Sequence, residues 1–222
     1  MVVIMLLIIV LAFVATPISS YVSISTINAA EPPYNGQSYL EFYALKSLYD
    51  STSGDDWNNK TNWISPTVSW CNNWYGLLCE GRTKSITEIR LRYNDLQGSI
   101  PSSISSLSSL TILGLRYNSL TGPIPSELGL LSSLKFLDLD DNSLTGSIPS
   151  EVGLLSSLYR LDLDSNSLTG RIPSEIGLLS SLRRLYLRDN AELNGTIPVE
   201  VCRLIDNGLR ISFNQNSIEY YC

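Results

Sequence analysis

Asp138, Asp140, Asp162 and Asp164 lie in two nearly identical lines, LDLDDNSLTG from Leu137 and LDLDSNSLTG from Leu161. Alternate residues of a strand share a face ~7 Å apart, and neighbouring strands bring opposite residues to ~5 Å. Carboxylate pairs at such separations are the apparatus of glycoside hydrolysis, and several together can hold a calcium ion. Hydrolysis also needs a water-excluding pocket, which a shallow sheet face is not expected to offer. Histidine is absent from the chain, which removes Ser-His-Asp and Cys-His nucleophiles and histidine-ligated zinc. The expectation is a non-enzymatic protein with no cofactor and no resident metal.

The 222 residues carry a net charge of −6 and are 44% hydrophobic, enough for one sizeable domain. An acidic balance argues against nonspecific nucleic-acid binding, which needs a dense basic surface. The opening MVVIMLLIIVLAFVA is shorter than the ~20 residues of a comfortable membrane span and fits the apolar core of a secretory signal. No Lys or Arg precedes it, which is atypical. Cleavage after Ser20 or Ala30 suits small-residue rules; an uncleaved segment would instead anchor the chain to a membrane. Asn59-Lys-Thr61 and Asn194-Gly-Thr196 match the N-glycosylation triplet. Cys71, Cys79, Cys202 and Cys222 allow three connectivities, which spacing does not resolve; two disulfides are favoured over free thiols. Together these features point to an extracellular protein.

A fixed period governs the middle of the chain. Leu110, Leu134, Leu158 and Leu182 are 24 apart, as are Asn94, Asn118, Asn142, Asn166 and Asn190. Such a period is the mark of a solenoid. LxxLxL puts alternating leucines on one face of a short strand, which only stacked neighbours can bury. An inward asparagine amide, with two donors and an acceptor, can satisfy the turn of its own coil and the next, so the asparagines are expected to form a buried ladder. Glycine after Leu-Thr permits a tight reversal, and the SELGLLSSL-type segment reads as a short helical turn on the back.

The pattern LxxLxLxxNxLtGxIPxxlgxLxx resembles the plant-type leucine-rich repeat (LRR), with five copies over residues 86–206. The resemblance implies an α/β right-handed solenoid: a parallel sheet on the concave face, short 3-10 or α turns on the convex face, and a helical N-terminal cap. The segment EFYALKSLYDSTSGDDWNNKTNW, through WCNNWYGLLC, resembles that cap. The expected organisation is a signal segment over 1–30, the cap over 31–85, five repeats over 86–206 and a C-terminal cap over 207–222. Nothing after Cys222 is expected to span a membrane or act as a kinase.

A solenoid needs covered ends. Ser38-Tyr-Leu-Glu41 matches a capping box, with Leu40, Ala44 and Leu48 at helical spacing behind it. All four tryptophans fall between residues 57 and 74; they read as the packed core of the cap in preference to a sugar-stacking platform.

With leucines and asparagines committed to the fold, identity must sit at outward strand positions. Arg90, Arg92 and Tyr93, then Arg116 and Tyr117, form one patch. Phe136, Asp138, Asp140, Asp162 and Asp164, with Arg160 among them, form the next. Arg184, Tyr186 and Arg188 form the third. Arginine and tyrosine are the better anchors for a partner. The expected function is recognition of a protein or peptide on the concave face, with a membrane receptor or a secreted enzyme as possible partner class. The resemblance extends to polygalacturonase-inhibiting proteins, which carries an inhibitor of a polysaccharide-degrading enzyme as the alternative; a surface coat or ice-binding role ranks below it. A regular Thr-x-Thr ladder would favour ice.

Overall fold

Hydrogen bonding and burial impose the same unit on each 24-residue line. The computed structural model describes residues 39–65, 68–71, 73–80, 84–214, 218–219 and 221–222. The signal segment expected over 1–30, and Ser38, lie outside them.

One face is a seven-stranded sheet. Leu77–Glu80 pairs antiparallel with Ser85–Arg90, after which Ile112–Gly114, Phe136–Asp138, Arg160–Asp162, Arg184–Tyr186 and Arg210–Ser212 follow in parallel. The last of these strands belongs to the segment expected to be a cap, so the sheet runs on past the fifth repeat. A second sheet of five strands forms a flank: Gln97–Gly98, Ser119–Pro123, Ser143–Ser147, Ser167–Gly170 and Glu192–Leu193. The convex side carries 3-10 turns at Ser102–Ser106, Ser126–Leu130, Ser150–Leu154 and Ser174–Leu178, then helix α2 (Val199–Asp206).

Leucines hold the stack together. Leu113, Leu137, Leu161 and Leu185 are fully buried on one column and Leu115, Leu139 and Leu163 on the next. Each removes its side chain from water for ~1.5–3 kcal/mol, which no single coil could gain alone. The asparagine ladder forms, with Asn94, Asn166 and Asn190 buried as expected and Asn118 and Asn142 half-buried. Asn166 Nδ2 donates to Leu139 O of the preceding coil at 3.0 Å, and its Oδ1 accepts from Leu144 N at 3.0 Å. At the first coil the partner changes: Asn94 Nδ2 donates to Asn59 O at 3.0 Å, and Asn94 Oδ1 accepts from Asn59 N at 2.6 Å. The cap thereby takes the place of a preceding coil.

Helix α1 (Tyr39–Ser51) closes the first coil. It buries Phe42, Ala44, Leu45 and Leu48, while Leu40 is 64% exposed, which corrects the expected Leu40/Ala44/Leu48 face by one turn. Glu41 of the expected capping box reaches the first strand. Its buried carboxylate accepts from Ile86 N at 3.3 Å and ties the helix to the first strand. Trp57, Trp63, Trp70 and Trp74 are buried against α1, with Trp57 and Trp63 at 4.8 Å, so they form the cap core and offer no stacking platform. Cys71–Cys79 and Cys202–Cys222 are the two disulfides. Among the described residues no helix is long and apolar enough to cross a membrane.

Candidate recognition surface on the concave sheet

Parallel register sorts the outward side chains into columns. Glu88, Ile112, Phe136, Arg160, Arg184 and Arg210 align across the sheet, and beside them Arg90, Gly114, Asp138, Asp162, Tyr186 and Ser212. Three residues beyond each strand's second outward position the backbone turns left-handed, at Tyr93 (φ 54), Tyr117 (φ 54), Asp141 (φ 52), Ser165 (φ 53) and Asp189 (φ 54). Tyr93 and Tyr117 therefore sit on the turn after the strand and stack there, with centroids 4.3 Å apart and planes within 8°. The Arg116 guanidinium lies 4.5 Å over the Tyr117 ring.

The middle of the face is an ion cluster. Arg116 meets Asp140 at 3.3 Å, and Arg160 pairs with Asp162 and reaches Asp138 at 3.9 Å. Asp140 and Asp162, expected among the outward residues of the face, are only 6% and 5% exposed. Neighbouring strands and the two long arginines cover them. Burial pushes the Asp140 carboxyl up to about 8; its hydrogen bond with Asp138 and the negative charges of Asp138 and Asp162 add to this, and Arg116 offsets only part. Asp164 rises to about 6 through burial, opposed by the hydrogen bond it accepts from Arg188 N at 2.6 Å.

Carboxylate oxygens of Asp138, Asp140 and Asp162 lie within 4.8 Å of one another, close enough for a cation. The donor set fits calcium poorly: the ion wants six to eight oxygens, and here two guanidiniums already supply the positive charge.

The remaining anchors separate into two flanks. Arg90, Arg92 and Tyr93 are exposed toward the cap, with Arg90 Nε donating to Glu88 at 2.7 Å. Arg184 and Arg188 are exposed at the other end, and Tyr186 is half-buried with the Arg160 guanidinium 5.2 Å over its ring. Phe136 is 37% exposed and packs on Tyr159. Arg160 holds the cluster together, although its sequence position marked it only as one outward residue among many. Tyr75, contributed by the cap, joins the face without any signal in the repeat pattern. The two glycosylation triplets lie elsewhere: Asn59 is half-buried, with Oδ1 accepting from Thr61 Oγ1 at 2.7 Å, and Asn194 is exposed.

The face is not uniformly shallow. A hollow of about 530 Å³ opens between Tyr75, Phe136 and the arginines around Gly114, where a featureless surface was expected. The flank sheet offers a different texture, with Ser119, Thr121, Ser143, Thr145 and Ser167 all exposed in successive rows.

Residues 84–144 match the family model "Leucine rich repeat", and 157–179 a second of the same description. The BIR2 ectodomain from Arabidopsis thaliana is similar at 32% identity and a TM-score of 0.66, covering 75% of this chain and 86% of that one. The chain belongs to the leucine-rich-repeat family. A second leucine-rich-repeat structure, that of the BIR3–SERK2 complex from Arabidopsis thaliana, matches at 32% identity and a TM-score of 0.67, covering 78% of this chain and 93% of that one. A plant ice-binding protein matches at 25% identity and a TM-score of 0.61, covering 84% of this chain and 66% of that one. No curated protein matches. The leucine-rich-repeat fold is thus shared by a plant ectodomain, a protein–protein complex and an ice-binding protein, and function has to be argued from the surfaces.

Proposed function

We propose that this leucine-rich-repeat chain is an extracellular recognition module that binds a protein or peptide partner across its concave sheet. The observation that carries the reading is the division of that face. Charged groups at the centre are paired with each other, while Arg92 on one side and Arg184 and Arg188 on the other have no ion pair among the described residues, and Tyr93 and Tyr117 stack beside the first. Exposed Arg and Tyr are the residue types that dominate binding energy, and the paired centre contributes register more than affinity. The similar BIR3 structure is itself a complex with another protein. Two disulfides suit an oxidising compartment, and secretion through the N-terminal segment with glycans at Asn59 and Asn194 belongs to this proposal.

Crosslinking and mass spectrometry of the natively secreted protein would identify the partner. The double variant Arg184→Glu/Arg188→Glu should then lower its affinity at least tenfold with an unchanged melting temperature. Unchanged affinity would overturn the surface assignment. Inhibition of a secreted polysaccharide-degrading enzyme would use the same face, and assays against such enzymes separate the two outcomes.

The flank rows of Ser119/Thr121, Ser143/Thr145 and Ser167 support a second reading, an ordered hydroxyl surface for ice. Their alternation differs from the sought Thr-x-Thr ladder by a serine at every other place. Suppressed ice recrystallisation, lost in Thr121→Lys/Thr145→Lys, would establish it; no suppression would remove it.

A further inference from the structure

Leu130, Leu154 and Leu178 are left outside the core. They close the 3-10 turns Ser126–Leu130, Ser150–Leu154 and Ser174–Leu178 and are 64%, 56% and 66% exposed. Each is followed by a second leucine, Leu131, Leu155 or Leu179, that is fully buried. The first coil has Ser106 at the matching place, also exposed, so the solenoid does not require an apolar residue there. Single exposed leucines are ordinary. One on each of three consecutive coils makes an apolar ridge, and contiguous apolar surface marks a place of contact.

A second column runs beside the first. Residues three apart on a 3-10 turn eclipse each other, so Glu127, Glu151 and Glu175 stand next to the three leucines. All three glutamates are exposed. Each accepts from the hydroxyl of the serine before it at 3.2–3.3 Å, and none has an ion pair among the described residues. The turns are stacked closely: a Cβ on Gly129 would lie 2.3 Å from Glu151 O, and one on Gly153 2.5 Å from Glu175 O. Like charges thus repeat at the ~5 Å step of stacked coils. That arrangement opposes folding, and a cationic partner would relieve it. A groove of about 890 Å³, lined by Glu127, Glu151, Pro125, Pro149 and Pro173 and by none of the leucines, keeps the carboxylates open on the side away from the ridge.

We infer that this convex ridge docks a basic amphipathic α-helix of a partner protein, laid along the solenoid axis. One α-helical turn advances ~5.4 Å and one coil ~5 Å, so apolar residues at i, i+4 and i+7 meet Leu130, Leu154 and Leu178 in turn. A Lys or Arg beside each of them on the helix reaches the glutamate column. Charge decides against the other occupants. A second copy of this chain would set glutamates against glutamates, and neither described helix is basic: in α1 only Lys46 is cationic, and it pairs with Asp50, while α2 has Arg203 alone. Residues 1–38 contain no Lys or Arg. An anionic membrane would be repelled. The ridge lies on the opposite side from the concave sheet, so the inference stands or falls apart from recognition there.

The test titrates the folded chain into carboxyfluorescein-ALKAQLKALKAQLKA-amide, whose leucines recur four and three apart with a lysine after each. Fluorescence anisotropy should saturate. Leu130→Ser/Leu154→Ser/Leu178→Ser, which installs the residue of the first coil, should weaken binding at least tenfold with an unchanged melting temperature. Glu127→Gln/Glu151→Gln/Glu175→Gln should weaken it as much and remove its salt dependence, and the same peptide with glutamate for every lysine should not bind. No saturation up to millimolar chain, equal binding of the glutamate peptide, or binding that survives either triple variant would each overturn the assignment. So would a parent chain that dimerises, or cosediments with phosphatidylcholine vesicles, where the serine variant does neither, since a second copy or a lipid surface would then be the occupant.

Discussion

Asn118 donates its side-chain amide to Leu91 O, one coil back and 27 residues earlier, at 2.8 Å, and to Leu115 O of its own coil at the same distance. One amide thus closes its own turn and latches the preceding coil, and the ladder repeats this at each step. Leu115 O also accepts from Asn142 Nδ2 at 3.1 Å, so two rungs share one carbonyl, and the ladder is where a conservative change should cost most.

Asn166 is the most informative rung because it is 8% exposed and bonds on both sides. Asn166→Leu keeps the volume but strands the Leu144 amide and removes one of two donors from each of the Leu139, Leu163 and Asp164 carbonyls, which keep Asn142 Nδ2, Asn190 Nδ2 and Asp141 N. At ~1–3 kcal/mol for the stranded amide and ~0.5–1.5 kcal/mol for each hydrogen bond lost at a carbonyl, partly recovered by relaxation, the expected loss is about 3 kcal/mol. Asn166→Asp should be at least as damaging, because a carboxylate cannot donate to three carbonyls. Chemical denaturation measures both; a loss below ~1 kcal/mol would show that the amides are not what couples the coils.

Stability should fall as pH rises through the neutral range. The folded protein holds a proton on Asp140 up to about 8, whereas the unfolded chain releases it near 3.8. Between those values the native state binds the extra proton, so the contribution is complete below about 4 and is lost progressively up to about 8. Asp164 acts in the same sense but only up to about 6, which leaves the interval from 6 to 8 to Asp140. Its slope there is at most ~1.4 kcal/mol per pH unit. Melting curves of the parent and of Asp140→Asn should converge near pH 4 and separate toward pH 8, with the variant the more stable. Parallel curves would mean that Asp140 is ionised throughout.

The repeat was legible because a period of 24 fixes both which leucines point inward and which amides face the turns. What the sequence could not show depends on neighbours three coils wide. Asp140 and Asp164 occupy identical places in identical lines, yet Asp140 is buried beneath Arg116 and Asp164 only half-buried beside Arg188. Alternation tells which face a residue takes and is silent on how long its cross-strand neighbours are. The same applies at Gly114, where a lone small residue reads as a weak strand position and acts as the floor of a hollow. Leu40 misled for another reason: a capping box fixes a helix start, while the buried face of α1 is set by the first coil it must cover.

Close coil packing on the convex side makes a separate prediction. A Cβ on Gly153 would lie 2.5 Å from Glu175 O on the next coil, inside van der Waals contact with backbone that cannot swing away. Gly153→Ala should therefore destabilise by ~1–3 kcal/mol although alanine is the better residue for a helical turn. Gly114→Ala, with its nearest contact at 3.7 Å, is the matched control and should change stability by less than about 0.5 kcal/mol. Urea unfolding of the pair distinguishes close approach from a general intolerance of side chains at glycine.

Charge reversal separates the buried centre of the face from its flanks. Asp140→Lys would place an ammonium beside Arg116 and Arg160 with almost no access to water. Desolvating the ammonium costs several kcal/mol and the Arg116 guanidinium repels it, so this variant should melt far below the parent or fail to fold. Arg184→Glu changes charge by the same two units on an exposed side chain with no described ion pair, and should leave the melting temperature within about 2 °C, as surface substitutions generally do. A face that were simply a solvated sheet would treat the two reversals alike, and equal melting temperatures would return it to that status.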